Sequence, residues 1–125
     1  EMLFPCFHAM SMGWTWALHL ANESVLYLTQ RAAGRENFLW RERCPAPQVR
    51  QGEAAAGVYV DNVTAIGAQL GDSSALIDLV AKEAAVCGIG VHSDSRGSME
   101  LDSLGVVLHS AERKLRHRPR RVWRT

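Results

Sequence analysis

The strongest local signal in the sequence is a pair of short runs rich in β-branched residues, separated by two residues that suit a tight turn. The runs are Gly-Val-Tyr-Val at 57–60 and Val-Thr-Ala-Ile-Gly at 63–67, and Asp61 and Asn62 lie between them. Val, Ile, Thr and Tyr favour strands, whereas Asp and Asn tolerate the backbone that a two-residue hairpin loop requires. The segment therefore predicts a β-hairpin with Asp61 and Asn62 at its tip.

A helix is predicted on each side of this hairpin. Apolar residues recur at helical spacing over residues 15–33 and again over residues 75–87. Residues that favour helix caps and stops are expected to set the boundaries. These are Thr15 and Gly34 for the first helix, and Asp72 or Ser73 with Gly88 for the second.

The remaining segments complete an α+β chain of one domain. Residues 35–56 lack periodicity and contain two prolines, so a surface loop or insertion is expected there. Strands are predicted at 89–92 and at 99–109, the second broken around Leu104-Gly105, with a further short strand at 114–117. The predicted element order is α-β-β-α-β-β.

Charge is unevenly distributed along the chain. The net charge is +1, yet residues 112–125 contain seven Lys and Arg and one acid, which leaves the preceding residues mildly acidic. A basic tail on such a body indicates contact with a polyanion, and the alternative is a solvated, frayed terminus.

Targeting signals and cysteine usage indicate the compartment. No basic stretch precedes the apolar residues 2–21, and no apolar run reaches the length of a membrane span. The three cysteines are scattered and form no metal-binding or disulfide pattern. We expect an intracellular protein, cytoplasmic or nuclear, without a membrane partner.

The acid at the predicted turn is the residue with the clearest chemical potential. Tyr59 and Val60 are expected to be buried on opposite faces and to hold the turn rigid, so that Asp61 projects from the sheet. A carboxylate placed in this way is open to a hard cation such as Mg²⁺. The alternative is that Asp-Asn is simply favourable turn chemistry. The sequence contains no nucleophile elbow, Walker loop or complete dinucleotide-binding motif.

The order of these motifs resembles the palm of a retroelement reverse transcriptase, an RNA-directed DNA polymerase. The family signature is Tyr-x-Asp-Asp on a β-hairpin, and residues 59–62, Tyr-Val-Asp-Asn, stand in that place. Upstream, residues 10–14 are similar to the family's Leu-Pro-x-Gly segment, which leads into a long helix. Downstream, the helix at 75–87, Gly88-Ile89 and Leu104-Gly105-Val106 follow the family's helix, strand and primer-gripping hairpin.

The resemblance implies a fold, a reaction and partners. The fold would be an incomplete ferredoxin-like polymerase palm over residues 1–111, whose first strand, with its own aspartate, would lie before Glu1; residues 112–125 would be a basic tail or the start of the next element. The reaction would be nucleotidyl transfer onto a primer 3′-hydroxyl with Mg²⁺ or Mn²⁺, using an RNA template, a DNA primer and deoxynucleotides. The chain would belong to a larger polyprotein and would be inactive in isolation.

The resemblance also implies residue roles. Asp61 and Asn62 would be catalytic, with Asp61 a metal ligand and Asn62 in the place of the second aspartate. Met12, Gly13 and Tyr59 would contact the nucleotide and template, and Leu104 and Gly105 would form the primer grip. Contacts with the nucleic-acid backbone would come from Arg113, Lys114, Arg116, Arg118, Arg120 and Arg121.

Two readings of other classes stay open at this point. One is a non-enzymatic nucleic-acid-binding α+β module that uses the basic tail. The other is a small interaction domain whose hairpin acid is only a turn residue.

Overall fold

The computed structural model of the chain describes residues 13, 15–34, 39, 43–92, 96–103 and 105–118. Two helices and five strands occur there, which confirms the α+β class. None of the helices in these ranges is long and apolar enough to cross a membrane. The elements are α1 (Ala17–Ala33), β1 (Ala54–Tyr59), β2 (Asn62–Gly67), α2 (Leu70–Val86), β3 (Glu100–Ser103), β4 (Val106–His109) and β5 (Lys114–His117).

Helix α1 lies where the apolar periodicity predicts it. Gly34 adopts a φ of 62°, and its N–H donates to the Gln30 carbonyl at 3.2 Å, so the predicted left-handed stop is confirmed. The predicted cap at Thr15 is wrong. Trp16 occupies the cap position at φ −91° and ψ −9° without a side-chain cap, because an indole N–H can donate but cannot accept a hydrogen bond from the helix backbone.

The predicted hairpin is formed by β1 and β2, which pair antiparallel. Tyr59 pairs with Asn62, so the two-residue loop is Val60-Asp61 and the predicted tip is wrong by one residue. Strand β1 begins at Ala54, within the predicted loop at 35–56, because its ladder with β2 continues to Gly67.

Helix α2 begins at Leu70, before the predicted start at Asp72 or Ser73. Asp72 acts from inside the first turn, where its carboxylate accepts the N–H of Gln69 at 3.0 Å and of Gly52 at 3.2 Å. An acid in the first turn also interacts favourably with the helix dipole. The predicted capping residue therefore stabilises the helix start, but from the third helical position.

The end of α2 follows the sequence prediction. Gly88 has a φ of 72°; its N–H donates to the Ala85 carbonyl at 3.0 Å, and the Ile89 N–H donates to the Ala84 carbonyl at 2.9 Å. This pair of bonds is a Schellman motif, which satisfies the last helix carbonyls. The predicted strand at 89–92 is wrong, because no described strand lies beside this segment to complete a ladder.

The core lies between the helices and one face of the hairpin. The side chains of β1 and β2 alternate, so that one set faces α1 and α2 and the other faces away. The buried core residues are Leu39, Ala56, Leu76 and Val80, and those packed against them include Ala54, Val58, Val63 and Ala65. Leu39 also forms a parallel bridge to Ala56 at the outer edge of β1.

A second sheet follows α2, with strand order β3-β4-β5. The single broken strand predicted at 99–109 is instead a hairpin, because Gly105 at φ 81° reverses the chain. The predicted strand at 114–117 is confirmed as β5 and pairs with β4. The element order is thus α-β-β-α-β-β-β. The described strands lie in two sheets, and the single sheet of a ferredoxin-like fold is not among them.

Candidate functional site

The hairpin tip presents one carboxylate to solvent. Asp61 is exposed in the loop, as predicted, and the Asn62 side-chain amide donates to its Oδ1 at 3.1 Å. Asn62 is the first residue of β2 and is also exposed. The tip therefore combines a charged oxygen donor with a neutral amide that holds it.

The loop backbone is unusual at the residue before this acid. Val60 has a φ of 55°, which is rare for a β-branched side chain. Its N–H donates to Oδ1 of Asn22 on α1 at 3.0 Å. The sequence predicts no role for Asn22 at this turn, because a polar residue within a helix carries no local signal of a partner 38 positions away.

A cleft of about 730 Å³ lies between the two sheets and α1, and we call it the intersheet cleft. It separates the hairpin face that points away from the core and the apolar face of β3–β5. Thr64 Oγ1 and Ser103 Oγ, 3.3 Å apart, join the two sheets across it. Its walls include Tyr59, Asn62, Thr64 and Ile66 of the hairpin, Asn22, Glu23 and Leu26 of α1, and Leu101, Ser103, Val106, Leu108 and Leu115 of the second sheet.

The cleft explains why one expectation about the hairpin is wrong. Tyr59 was expected to be buried, but 58% of it is exposed, because it lies on the cleft face beside Asn62. Both residues line the cleft, and the loop that joins them carries Asp61. Asp61 is therefore flanked by two cleft-lining residues, although it does not itself line the cleft.

The other residues of the predicted polymerase site are spread more widely. Gly13 is exposed at φ 102°, and apart from its chain neighbours no described residue has an atom within 4 Å of where a Cβ would lie. Gly105 forms the β3–β4 turn, and its carbonyl accepts the Arg118 N–H at 3.1 Å. Neither glycine lines the cleft. Met12 and Leu104 lie outside the described residues.

The described residues among those predicted to contact the nucleic-acid backbone are exposed, on β5 or beside it. Glu112 pairs with Lys114 at 3.3 Å and with Arg116 at 2.9 Å, and Asp102 pairs with Arg118 at 3.0 Å. Such exposed ion pairs contribute little to stability, so these cations can exchange carboxylates for phosphates at low cost. Arg113 is exposed in the turn before β5, and Arg120 and Arg121 lie outside the described residues.

The donor set at the tip fits a magnesium site in part. Mg²⁺ is commonly held by one or two carboxylates, with waters and substrate phosphates as the other ligands. Asp61 offers one such carboxylate and Asn62 a neutral amide oxygen. The part of the chain that the structure describes contains no group of three or more His, Cys, Asp or Glu placed to hold a metal ion.

Comparison of the chain with protein-family models, with curated proteins and with solved structures finds no match in any of the three.

Proposed function

We propose that this chain is part of the palm of an RNA-directed DNA polymerase, with Asp61 as one ligand of the Mg²⁺ or Mn²⁺ that nucleotidyl transfer onto a primer 3′-hydroxyl requires. The observation that carries the proposal is the placement of Asp61. Asp61 is exposed on a two-residue turn between two residues that line the cleft, Tyr59 and Asn62, and the turn is tied to α1 through Asn22.

The hairpin's surroundings support an incomplete palm. Both helices pack on one face of β1 and β2, as helices do on one face of a ferredoxin-like sheet. Among the described residues, the outer edge of β2 has no strand partner. A further strand that paired with this edge would enlarge the two-stranded sheet, as the proposed palm requires.

The chemistry assigned to these residues is limited to binding and orientation. A divalent ion, when bound, would supply charge stabilisation at the reacting phosphate. Asp61 would hold the ion, and the Asn62 amide would orient the carboxylate through the hydrogen bond at 3.1 Å. The cleft face beside the tip would receive the nucleotide and the nucleic acid. We expect this chain alone to bind the ion without synthesising DNA.

A metal titration tests the proposal directly. Addition of Mn²⁺ to the isotopically labelled chain should broaden the amide NMR signals of Asp61 and Asn62 first. Asp61→Ala should abolish the effect, whereas Asn62→Asp should strengthen it, because a second carboxylate adds charge to the donor set. Asp78→Ala, which removes an exposed acid of α2 that pairs with Arg96, serves as the control for a surface carboxylate outside the hairpin. Equal broadening at Asp61 and Asp78 would contradict the proposal.

The basic side chains of β5 favour one alternative, a non-enzymatic nucleic-acid-binding module. Truncation would disrupt the second sheet, because β5 pairs with β4. A cleaner variant replaces Arg113, Lys114, Arg116 and Arg118 together by Gln. Salt-dependent RNA or DNA binding that this variant loses, combined with no metal effect at Asp61, would favour the alternative. In the polymerase proposal, Asp61→Ala spares nucleic-acid binding but removes metal binding.

A further inference from the structure

We infer that Asn22 is a positioning residue that sets the direction of the Asp61 carboxylate by holding the hairpin turn. That Asn22 orients a metal ligand rests on the proposed function, whereas that Asn22 holds the hairpin turn does not. The observation behind it is the hydrogen bond that Asn22, in the second turn of α1, accepts from the hairpin loop.

The bond satisfies the backbone N–H of Val60, which the β1–β2 ladder does not pair. Tyr59 and Asn62 form the last pair of the ladder, so Val60 lies in the loop and its N–H has no strand partner. A backbone N–H that is withdrawn from water requires another acceptor. Asn22 Oδ1 is that acceptor, at 3.0 Å in a partly buried position.

The same bond holds a backbone conformation that Val does not favour. The φ of 55° at Val60 suits glycine, and a β-branched residue keeps it only when its surroundings enforce it. Helix α1 can enforce it because the helix is anchored in the protein interior by Leu28 and Thr29. Asn22 thus transfers the rigidity of a packed helix to an exposed loop.

The consequence concerns the next residue along the chain. Asp61 follows Val60 directly, so a change in the Val60 dihedrals redirects its carboxylate relative to the cleft-lining residues on either side of the loop, Tyr59 and Asn62. Asn22 lines the same cleft but makes no hydrogen bond to Asp61 among those of the described residues. Its role is therefore to orient the proposed ligand.

Amide exchange of Val60 in the full chain tests the structural part. Asn22→Leu keeps a similar volume but removes the acceptor, and Asn22→Asp keeps the acceptor. We expect Val60 exchange to be about five- to tenfold faster in Asn22→Leu, the effect of one lost hydrogen bond, and close to the original in Asn22→Asp. Glu23→Gln, a neighbouring change on the cleft wall, should leave it unchanged. Unaltered exchange in Asn22→Leu would overturn the inference.

Rescue separates positioning from a general loss of stability. Glycine adopts a positive φ without strain, so Val60→Gly should make Asn22 dispensable for the turn. The double variant Asn22→Leu/Val60→Gly should recover the Mn²⁺ broadening at Asp61 that Asn22→Leu alone loses. Loss of broadening in both variants, with Val60→Gly alone behaving normally, would overturn the positioning role. If Mn²⁺ has no effect on the unmodified chain, the metal proposal fails, and the exchange comparison still decides whether Asn22 holds the turn.

Discussion

At the scale of single residues, Val60 is the position where local preference and tertiary structure conflict. Its positive φ costs about 1–3 kcal/mol for a residue of this type, and the hydrogen bond to Asn22 offsets part of that cost. Strain of this kind is often found where a loop must present a side chain in one direction. Val60, the strained residue, immediately precedes Asp61, the proposed metal ligand.

Replacing Val60 by glycine should stabilise the fold. The relief of strain outweighs the extra entropy of glycine in the unfolded chain, so we expect the free energy of unfolding to rise by about 0.5–1 kcal/mol. Val63→Gly is the matched control. Val63 lies in β2 and packs against the core, so the same substitution should destabilise there. Denaturant unfolding of both variants measures the difference, and equal destabilisation would show that the Val60 turn is unstrained.

At the scale of elements, the junction between β2 and α2 has no spare room. A Cβ on Gly67 would lie 2.7 Å from Asp72 Cβ and 2.8 Å from the Ser73 backbone nitrogen. Asp72 cannot move away freely, because its carboxylate accepts hydrogen bonds from Gln69 and Gly52. Glycine at position 67 therefore allows the strand to meet the first turn of the helix.

Two glycine-to-alanine substitutions should have opposite effects at this junction. Gly67→Ala should lower the free energy of unfolding by about 1–3 kcal/mol, because backbone atoms must shift to admit the methyl group. Gly71→Ala lies four residues away, within α2, where no described atom outside the adjacent helix backbone lies within 4 Å of the new Cβ. It should stabilise by about 0.5 kcal/mol through helix propensity. A destabilising Gly71→Ala, or a neutral Gly67→Ala, would contradict this packing.

The carboxylate of Asp72 is the second determinant of the helix start. Removing it in Asp72→Ala leaves two N–H groups without their acceptor, and we expect a loss of about 1–2 kcal/mol in unfolding free energy. Asp72→Asn keeps an acceptor oxygen and should lose less. Thermal unfolding followed by circular dichroism provides the comparison, and equal losses would indicate that charge, not hydrogen bonding, matters.

At the scale of the whole molecule, the cleft between the two sheets leaves apolar side chains of the second sheet exposed. The apolar face of β3–β5 looks into the cleft, and Leu115 there is 71% exposed. The outer edge of β2 also has no strand partner among the described residues. Unpaired edges beside apolar surface promote association between chains.

Association should therefore depend on β2. The isolated chain is expected to associate as its concentration rises, and Ile66→Lys should reduce this, because a charge beside a strand edge disfavours pairing with another strand. Leu79→Lys introduces the same charge at a similarly exposed site on α2 and is the control. Sedimentation velocity or light scattering over a concentration series measures both. A monomeric chain with a sharp, reversible thermal unfolding transition would contradict the prediction. It would also weaken the proposal that the chain is part of a polymerase palm.

The segments whose structure is encoded locally could be predicted from sequence. Helical periodicity with Gly34 and Gly88 as stops located the helix ends, and β-branched runs located the hairpin, because these signals act within a few residues. The predicted strand at 89–92 failed for the converse reason. A strand requires a partner, and short-range preference cannot supply one.

The sequence by itself determined the two helices, the hairpin and the exposed acid in its loop, since each depends on the conformational preferences of consecutive residues. Tertiary structure decided the shift of the turn to Val60-Asp61, the exposure of Tyr59 and the separation of the strands into two sheets. It also decided the link from Asn22 to Val60. Packing between elements and hydrogen bonds between distant residues control these features, because they depend on which surfaces meet when the chain folds.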